Sequence, residues 1–279
     1  MEGRDVDMRF RLDALRRFAV AALSGTGLKP APAGMLTDQL LGFDAAGAAK
    51  YGARSLPAWL ERIASGEVSP SVEGQITLEK PATLQLDGRN GIGPLILGRA
   101  ADLAAEKARE VGAGIVRAVN ITACGPAALI AAGVAMGPMI AFVLGPGPSW
   151  ALAIPTELGL PAVFDTDLAT EESSTRTRRP PPWLKQLAPW LVTLATPPDG
   201  WLVAALMVTA IEPLTTFHER AKTALPRTES PGYLLPGPWD ERRQALRDRG
   251  VALDREAVEA FRGWADRLRL ELPAPLDAE

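Results

Sequence analysis

Chemistry near neutral pH has few places to happen in this chain, which holds one histidine, His218, and one cysteine, Cys124, in 279 residues. Histidine is the only side chain whose unperturbed pKa changes its charge there. A single one forbids any mechanism that needs two histidines and disfavours a histidine-built metal site. Cys124 lies in a glycine-flanked turn and would be a nucleophile only if its thiolate were stabilised. No histidine neighbours it in sequence, and the alternative is a small buried hydrophobe. His218 precedes Glu219-Arg220 at the end of a predicted helix, where the helix dipole favours a cation, so it reads as a cap. Arg176, Arg178 and Arg179 form a basic cluster suited to an anion or a partner, or simply to a solvated loop. No glycine run has the G-x-G-x-x-G or Walker spacing, and Asn90-Gly91-Ile92-Gly93 reads as a turn rather than a phosphate cradle.

The elements that must position these groups are those of an ordinary globular chain, 47% apolar and 23% charged. The length allows one large domain or two modest ones. A net charge of −3 gives no electrostatic reason to expect nucleic acid. The lone cysteine cannot close an intramolecular disulfide, and the charge-scattered N-terminus shows no secretory leader, so a cytoplasmic setting is the expectation. Residues 118–156 carry no charged side chain. Glycine-proline pairs at 125–126, 137–138 and 145–148 cut this stretch into a strand, a buried helix and a second strand, so no membrane span is expected.

Apolar periodicity predicts helices over residues 8–27, with Leu12, Leu15, Phe18, Ala22 and Leu23 on one face, and over 33–43, 56–64 and 95–111. Gln75 to Gly88 reads as two short strands and Asp87 to Gly91 as a turn. A strand over 114–119, a helix over 127–135 and strands over 139–144 and 150–154 follow. Residues 171–182 (EESSTRTRRPPP) read as an exposed or disordered loop. Helices are predicted over 183–194 and 201–220, then a proline-punctuated connection and a last helix over 255–270.

The frame Asp44-Ala45-Ala46-Gly47-Ala48-Ala49-Lys50-Tyr51-Gly52-Ala53-Arg54-Ser55-Leu56-Pro57 resembles the signature of the malate/L-lactate/ureidoglycolate dehydrogenase-like family, which includes sulfolactate dehydrogenase and is distinct from the Rossmann-type lactate dehydrogenases. That signature runs Ala-Asp, Gly, Ser-His-Gly, Arg and Leu-Pro before a helix. Further segments resemble the family in the same order. They are Leu15 to Leu28, the Asp87-Gly88 turn, Gly112 to Gly125, Ala151 to Thr156, Asp167-Leu168-Ala169-Thr170, Asp199 to Val208, and Leu235 to Asp254.

The resemblance implies an α/β fold with a sulfolactate dehydrogenase-like mixed-sheet core, an N-terminal helical part and a C-terminal helix returning to it. It suggests an N-terminal part over residues 1–70, an α/β core over 71–220 and a closing segment over 221–279. It also implies a homodimer, or a heterodimer with a related subunit, joined by a large apolar interface.

The departures bear on function. Tyr51 stands where the family has its catalytic histidine, which exchanges a proton with the substrate oxygen during hydride transfer. Ser55 stands at the substrate-carboxylate arginine, with Arg54 one place early. Ala123 replaces a second pocket histidine, Asp199-Gly200-Trp201 replaces Lys-Gly-Tyr, and Pro238 replaces a glutamate. The stretches at 144–148 and 171–198 are shorter than in the family, the second in the region of the nicotinamide pocket.

The remnant pocket is therefore expected at Tyr51, Arg54 and Asp167. Tyr51 is either an altered proton donor or an aromatic filling vacated space. Arg54 is either a carboxylate clamp or a solvated surface cation, and Asp167 either orients a pocket group or caps the chain beyond it. The expectation is a degenerate member without NAD(P)H or metal, kept as a subunit partner or to bind or process a small carboxylate in a biosynthetic pathway. An active oxidoreductase using Tyr51, with NAD(P)H as cofactor, and a non-redox enzyme using Cys124 are the alternatives.

Overall fold

The computed structural model describes residues 8–146, 149–168, 200–226 and 232–276. The loop at 171–182, with its arginine cluster, and the helix predicted over 183–194 lie outside them. The chain opens with β1 (Met8–Phe10) and continues through α1 (Leu12–Gly25), α2 (Pro30–Ala45) and α3 (Leu56–Ala64). A hairpin, β2 (Gln75–Glu79) and β3 (Thr83–Gly91), leads to α4 (Gly93–Val111) and β4 (Ala113–Ile121). Then come α5 (Ala128–Ala135), β5 (Met139–Leu144), β6 (Trp150–Ile154), β7 (Ala162–Asp165) and β8 (Trp201–Met207). The last elements are α6 (Leu214–Ala224), β9 (Tyr233–Leu234), α7 (Pro236–Arg249), β10 (Val251–Leu253) and α8 (Arg255–Leu268). They fall into two compact units, residues 1–70 with 239–279 and residues 71–238.

In the first unit, α1 buries Leu15, Phe18, Ala19, Ala22 and Leu23, one stripe at helical spacing. Phe18 stacks on Phe261 of α8 with ring centroids 5.7 Å apart, and burying each such ring contributes roughly 1.5–3 kcal/mol. Prolines start α2 and α3, where the missing N–H costs nothing. Asp254 caps α8 by accepting the Ala257 N–H at 2.8 Å. Residues 8–10, expected to open the first helix, instead pair antiparallel with β10, Phe10 opposite Val251.

The second unit is built on one eight-stranded sheet in the order β2-β3-β4-β8-β5-β6-β7-β9. β3 and β4 pair parallel, and α4 is the crossover that a parallel pair requires. That helix lies so close to β4 that a Cβ on Gly114 would sit 2.0 Å from the Ala104 carbonyl oxygen. The far side of the sheet carries a cross-strand row of rings from Phe142 through Trp150 and Phe164 to Tyr233, with neighbouring centroids 4.7–6.1 Å apart.

The predicted helix over 201–220 is corrected. Trp201–Met207 is a strand between β4 and β5, and helix resumes only at Leu214. A short, continuously apolar run fits a strand buried on both faces as well as a helix, and the unmet ladders of β4 and β5 decide for the strand. Helix α7 occupies the stretch expected as a proline-punctuated connection; Pro236 and Pro238 open it and its later residues are mostly charged. No helix among the described residues is long and apolar enough to cross a membrane.

Candidate functional site

Tyr51 and Arg54 share one loop of the first unit, made of two short 3-10 turns, Ala49–Tyr51 and Ala53–Ser55. The half-buried Tyr51 ring packs against Phe43 of α2 at 5.9 Å between centroids, with Lys50 Nζ 5.1 Å over its face. Arg54 Nη1 lies 3.2 Å from Asp254 Oδ2, so the guanidinium is tied to the aspartate that caps α8. Ser55 turns its hydroxyl onto its own loop, donating to the Gly52 carbonyl at 2.7 Å.

A residue not singled out from sequence organises this loop. Asp44, in the last turn of α2, accepts the Ala53 N–H at 2.8 Å. Its carboxylate lies flat against Gly52, where a Cβ would come within 2.1 Å of Oδ1. Burial pushes the Asp44 carboxyl up to about 7, against the opposing pull of the Ala53 N–H and Arg54. The sequence signal was present in the Asp-x-x-Gly frame, but nothing local announces that a carboxyl at a helix end will be buried.

Asp167 belongs to the second unit. Its N–H donates to Asp165 at 2.7 Å, and its own carboxylate accepts the Ser149 hydroxyl at 3.1 Å. Asp165, only 1% exposed, also accepts the Leu168 N–H. Burial, reinforced by the charge of Asp167, raises its carboxyl to about 7 despite the backbone N–H groups that favour the ionised form. Asp165 was likewise not picked out. The Asp-x-Asp spacing was its one available signal.

The other positions resolve as packing or turn chemistry. Ala123 is exposed. Cys124 is buried against the Thr122 carbonyl, its Sγ 3.4 Å away, and burial drives the thiol well above its ordinary range. A nucleophile needs the opposite, a stabilised thiolate. Asp87 ties the ends of β3 and β4 by accepting the Arg89 N–H at 2.9 Å and the Asn120 side-chain amide at 3.1 Å. Arg89, Asn90 and Asn120 there hold positive φ. Trp201 is buried on Gly145, and Asp199 lies outside the described residues.

His218 does not cap a helix end. It is the fifth residue of α6, which runs on to Ala224, and its Nε2 is buried with no partner among the described residues. Its ring lines a cavity of about 230 Å³ with Lys222, Glu157, Leu235 and Pro236, smaller than the roughly 300 Å³ at which ligand pockets begin. Among the described residues no group of three or more histidines, cysteines or acids could hold a metal ion.

Comparison with known proteins bears on the family and the fold. The family model described as malate/L-lactate dehydrogenase matches residues 10–166. Malate dehydrogenase of Pyrococcus abyssi is 33% identical over 175 residues, 57% of this chain and 48% of that protein. L-sulfolactate dehydrogenase of Methanocaldococcus jannaschii is 28% identical over 105 residues, 38% of this chain and 30% of that protein. The matched stretches thus span about half or less of the length of these curated relatives.

Among solved structures, malate dehydrogenase from Entamoeba histolytica aligns with a TM-score of 0.78 at 18% identity, covering 96% of this chain and 100% of its own. Sulfolactate dehydrogenase from M. jannaschii aligns at 0.76 and 18%, covering 95% of this chain and 98% of its own. At that identity the likeness establishes the mixed α/β fold. With the family model covering more than half of its residues, the chain belongs to the malate/L-lactate dehydrogenase family.

Proposed function

We propose that this family member has lost hydride transfer from a nicotinamide and serves as a subunit that binds a small carboxylate, in a homodimer or paired with a related, fully equipped chain. The observation that carries the reading is the condition of the Tyr51–Ser55 loop. Tyr51, at the position the resemblance gives to the proton-exchanging histidine, is packed on Phe43. Ser55, at the substrate-arginine position, donates its hydroxyl to the Gly52 carbonyl of its own loop. The guanidinium of the same loop, Arg54, already has a carboxylate partner in Asp254. A proton donor must have a pKa near the working pH, and a phenol begins at about 10.

The residues do not fit a nicotinamide dinucleotide well either. Asp199 stands in sequence where the resemblance expects a lysine, and Trp201, where it expects a tyrosine, is spent on packing against Gly145.

Titration calorimetry with NADH, NADPH and a panel of 2-oxo and 2-hydroxy acids tests the proposal. The expected result is saturable binding of a carboxylate without binding of either nucleotide. Micromolar nucleotide binding accompanied by reduction of any 2-oxo acid overturns it.

One observation favours a second reading, an altered oxidoreductase with Tyr51 as proton donor. Asp44, in the last turn of α2 against that loop, has its carboxyl pushed up to about 7 by burial and would supply a group able to exchange protons near neutral pH.

A further inference from the structure

We propose that Asp44 is the positioning residue of the 49–55 loop, and that the proton it holds or releases sets where Tyr51 and Arg54 stand. This goes beyond the functional reading above and does not depend on whether the loop performs chemistry.

The loop is stitched mainly to itself. The Tyr51, Gly52 and Ser55 N–H groups donate to the carbonyls of Ala48, Ala49 and Gly52 at 2.9–3.0 Å. Such short turns fix local shape but not the attitude of the whole loop on its unit. Ties from α2 and from the cap of α8 reach it from outside. From α2, Asp44 takes the Ala53 N–H while its neighbour Phe43 receives the Tyr51 ring. From α8, Asp254 takes Arg54. Gly52 completes the grip, because its missing side chain is what lets the carboxylate lie against the loop backbone.

The chemistry of the grip makes it sensitive to protonation. The ionised carboxylate accepts a charge-assisted hydrogen bond from Ala53, stronger than the neutral acid would accept. The same ionisation leaves a buried charge with incomplete compensation, which is why the group holds its proton up to about 7.

The charged group acting on Asp44 is Arg54, and Arg54 is already shared with Asp254. Three other charged side chains of the neighbouring elements have partners of their own. Lys50 lies over the Tyr51 ring, Arg242 of α7 donates to the Ala45 carbonyl at 3.2 Å, and Arg16 pairs with Asp38 on the exposed side of α1 and α2. Ionisation of Asp44 therefore draws Arg54 away from Asp254 and tightens the Ala53 bond. Both changes move the backbone on either side of Gly52, and Tyr51 is its immediate neighbour.

The chain has two tyrosines, Tyr51 and Tyr233, so the full-length protein labelled with [ε-13C]tyrosine gives two ring signals, assigned with Tyr233→Phe. The expected result is a Tyr51 signal that titrates with a midpoint near 7 and becomes flat in Asp44→Asn between about pH 6 and 8. A flat wild-type Tyr51 signal, or a titration that survives in Asp44→Asn, overturns the proposal. Should Asp44→Asn fail to fold, Arg54→Gln gives the second arm. Removing the cation that favours the carboxylate must raise the midpoint, and an unmoved midpoint overturns the proposal. A carboxyl with a purely structural role would leave Tyr51 insensitive to pH in every variant.

Discussion

Arg54 and Asp254 face each other across 3.2 Å between guanidinium and carboxylate, and the other oxygen of the same aspartate caps α8. This pair joins the loop that carries Tyr51 to a helix two hundred residues later in sequence. The predicted energetic consequence is unequal. Asp254→Ala loses cap and ion pair together and costs about 1–2 kcal/mol. Asp254→Asn keeps an acceptor for the Ala257 N–H and costs less than about 1 kcal/mol. Chemical denaturation of both variants and of Arg54→Ala in a double-mutant cycle measures the split.

Asp165 makes a pH prediction. Its carboxyl sits at about 7 in the folded chain, against about 3.9 when unfolded, so between those values the folded state binds more protons. Stability from this group is full below about pH 4, falls as pH rises, and levels off above about 7, a loss of the order of several kcal/mol. Asp44, raised to the same range, adds a slope of the same sign, so Asp165→Asn removes about half of the wild-type slope and gains stability relative to wild type above neutrality. Thermal melts from about pH 5 to about pH 8.5 check both points. A slope left undiminished in the variant assigns it to another group.

Cys124 is expected to behave as packing. Its thiol is buried and held against ionisation, so a thiol reagent should label the native protein only as fast as it opens and the unfolded protein at once. Rapid stoichiometric labelling of the native chain would restore the nucleophile reading.

Tyr51 separates the two functional readings. If it fills space, Tyr51→Phe keeps the Phe43 contact and leaves carboxylate binding within about twofold, while Tyr51→Ala loses roughly 0.5–1.5 kcal/mol of aromatic packing along with its burial. If it donates a proton, Tyr51→Phe lowers turnover by about a hundredfold or more with stability unchanged. Calorimetry and turnover on the same preparations decide.

Much of the scaffold was legible from sequence because its signals are local. Leu15, Phe18, Ala22 and Leu23 declare the buried face of α1, and the glycine-proline breaks delimit α5, β5 and β6. What was not legible depends on distant partners. Trp201–Met207 is a strand because β4 and β5 leave their ladders open to it. Residues 8–10 are a strand because β10 lies beside them. The site divides in the same way. Tyr51, Arg54 and Asp167 follow from the family frame, whereas the engagement of Arg54 by Asp254 and the burial of Asp44 and Asp165 appear only once the chain is folded.

The central claim is the loss of hydride transfer, and a single-turnover experiment reaches it most directly. The protein, in excess over [4-2H]NADH or [4-2H]NADPH of either stereochemistry, is incubated with a 2-oxo acid, and the 2-hydroxy acid is examined by mass spectrometry for deuterium at C2. The account predicts no deuterated product beyond a protein-free control. Stoichiometric deuterium transfer that is lost in Tyr51→Phe would contradict it.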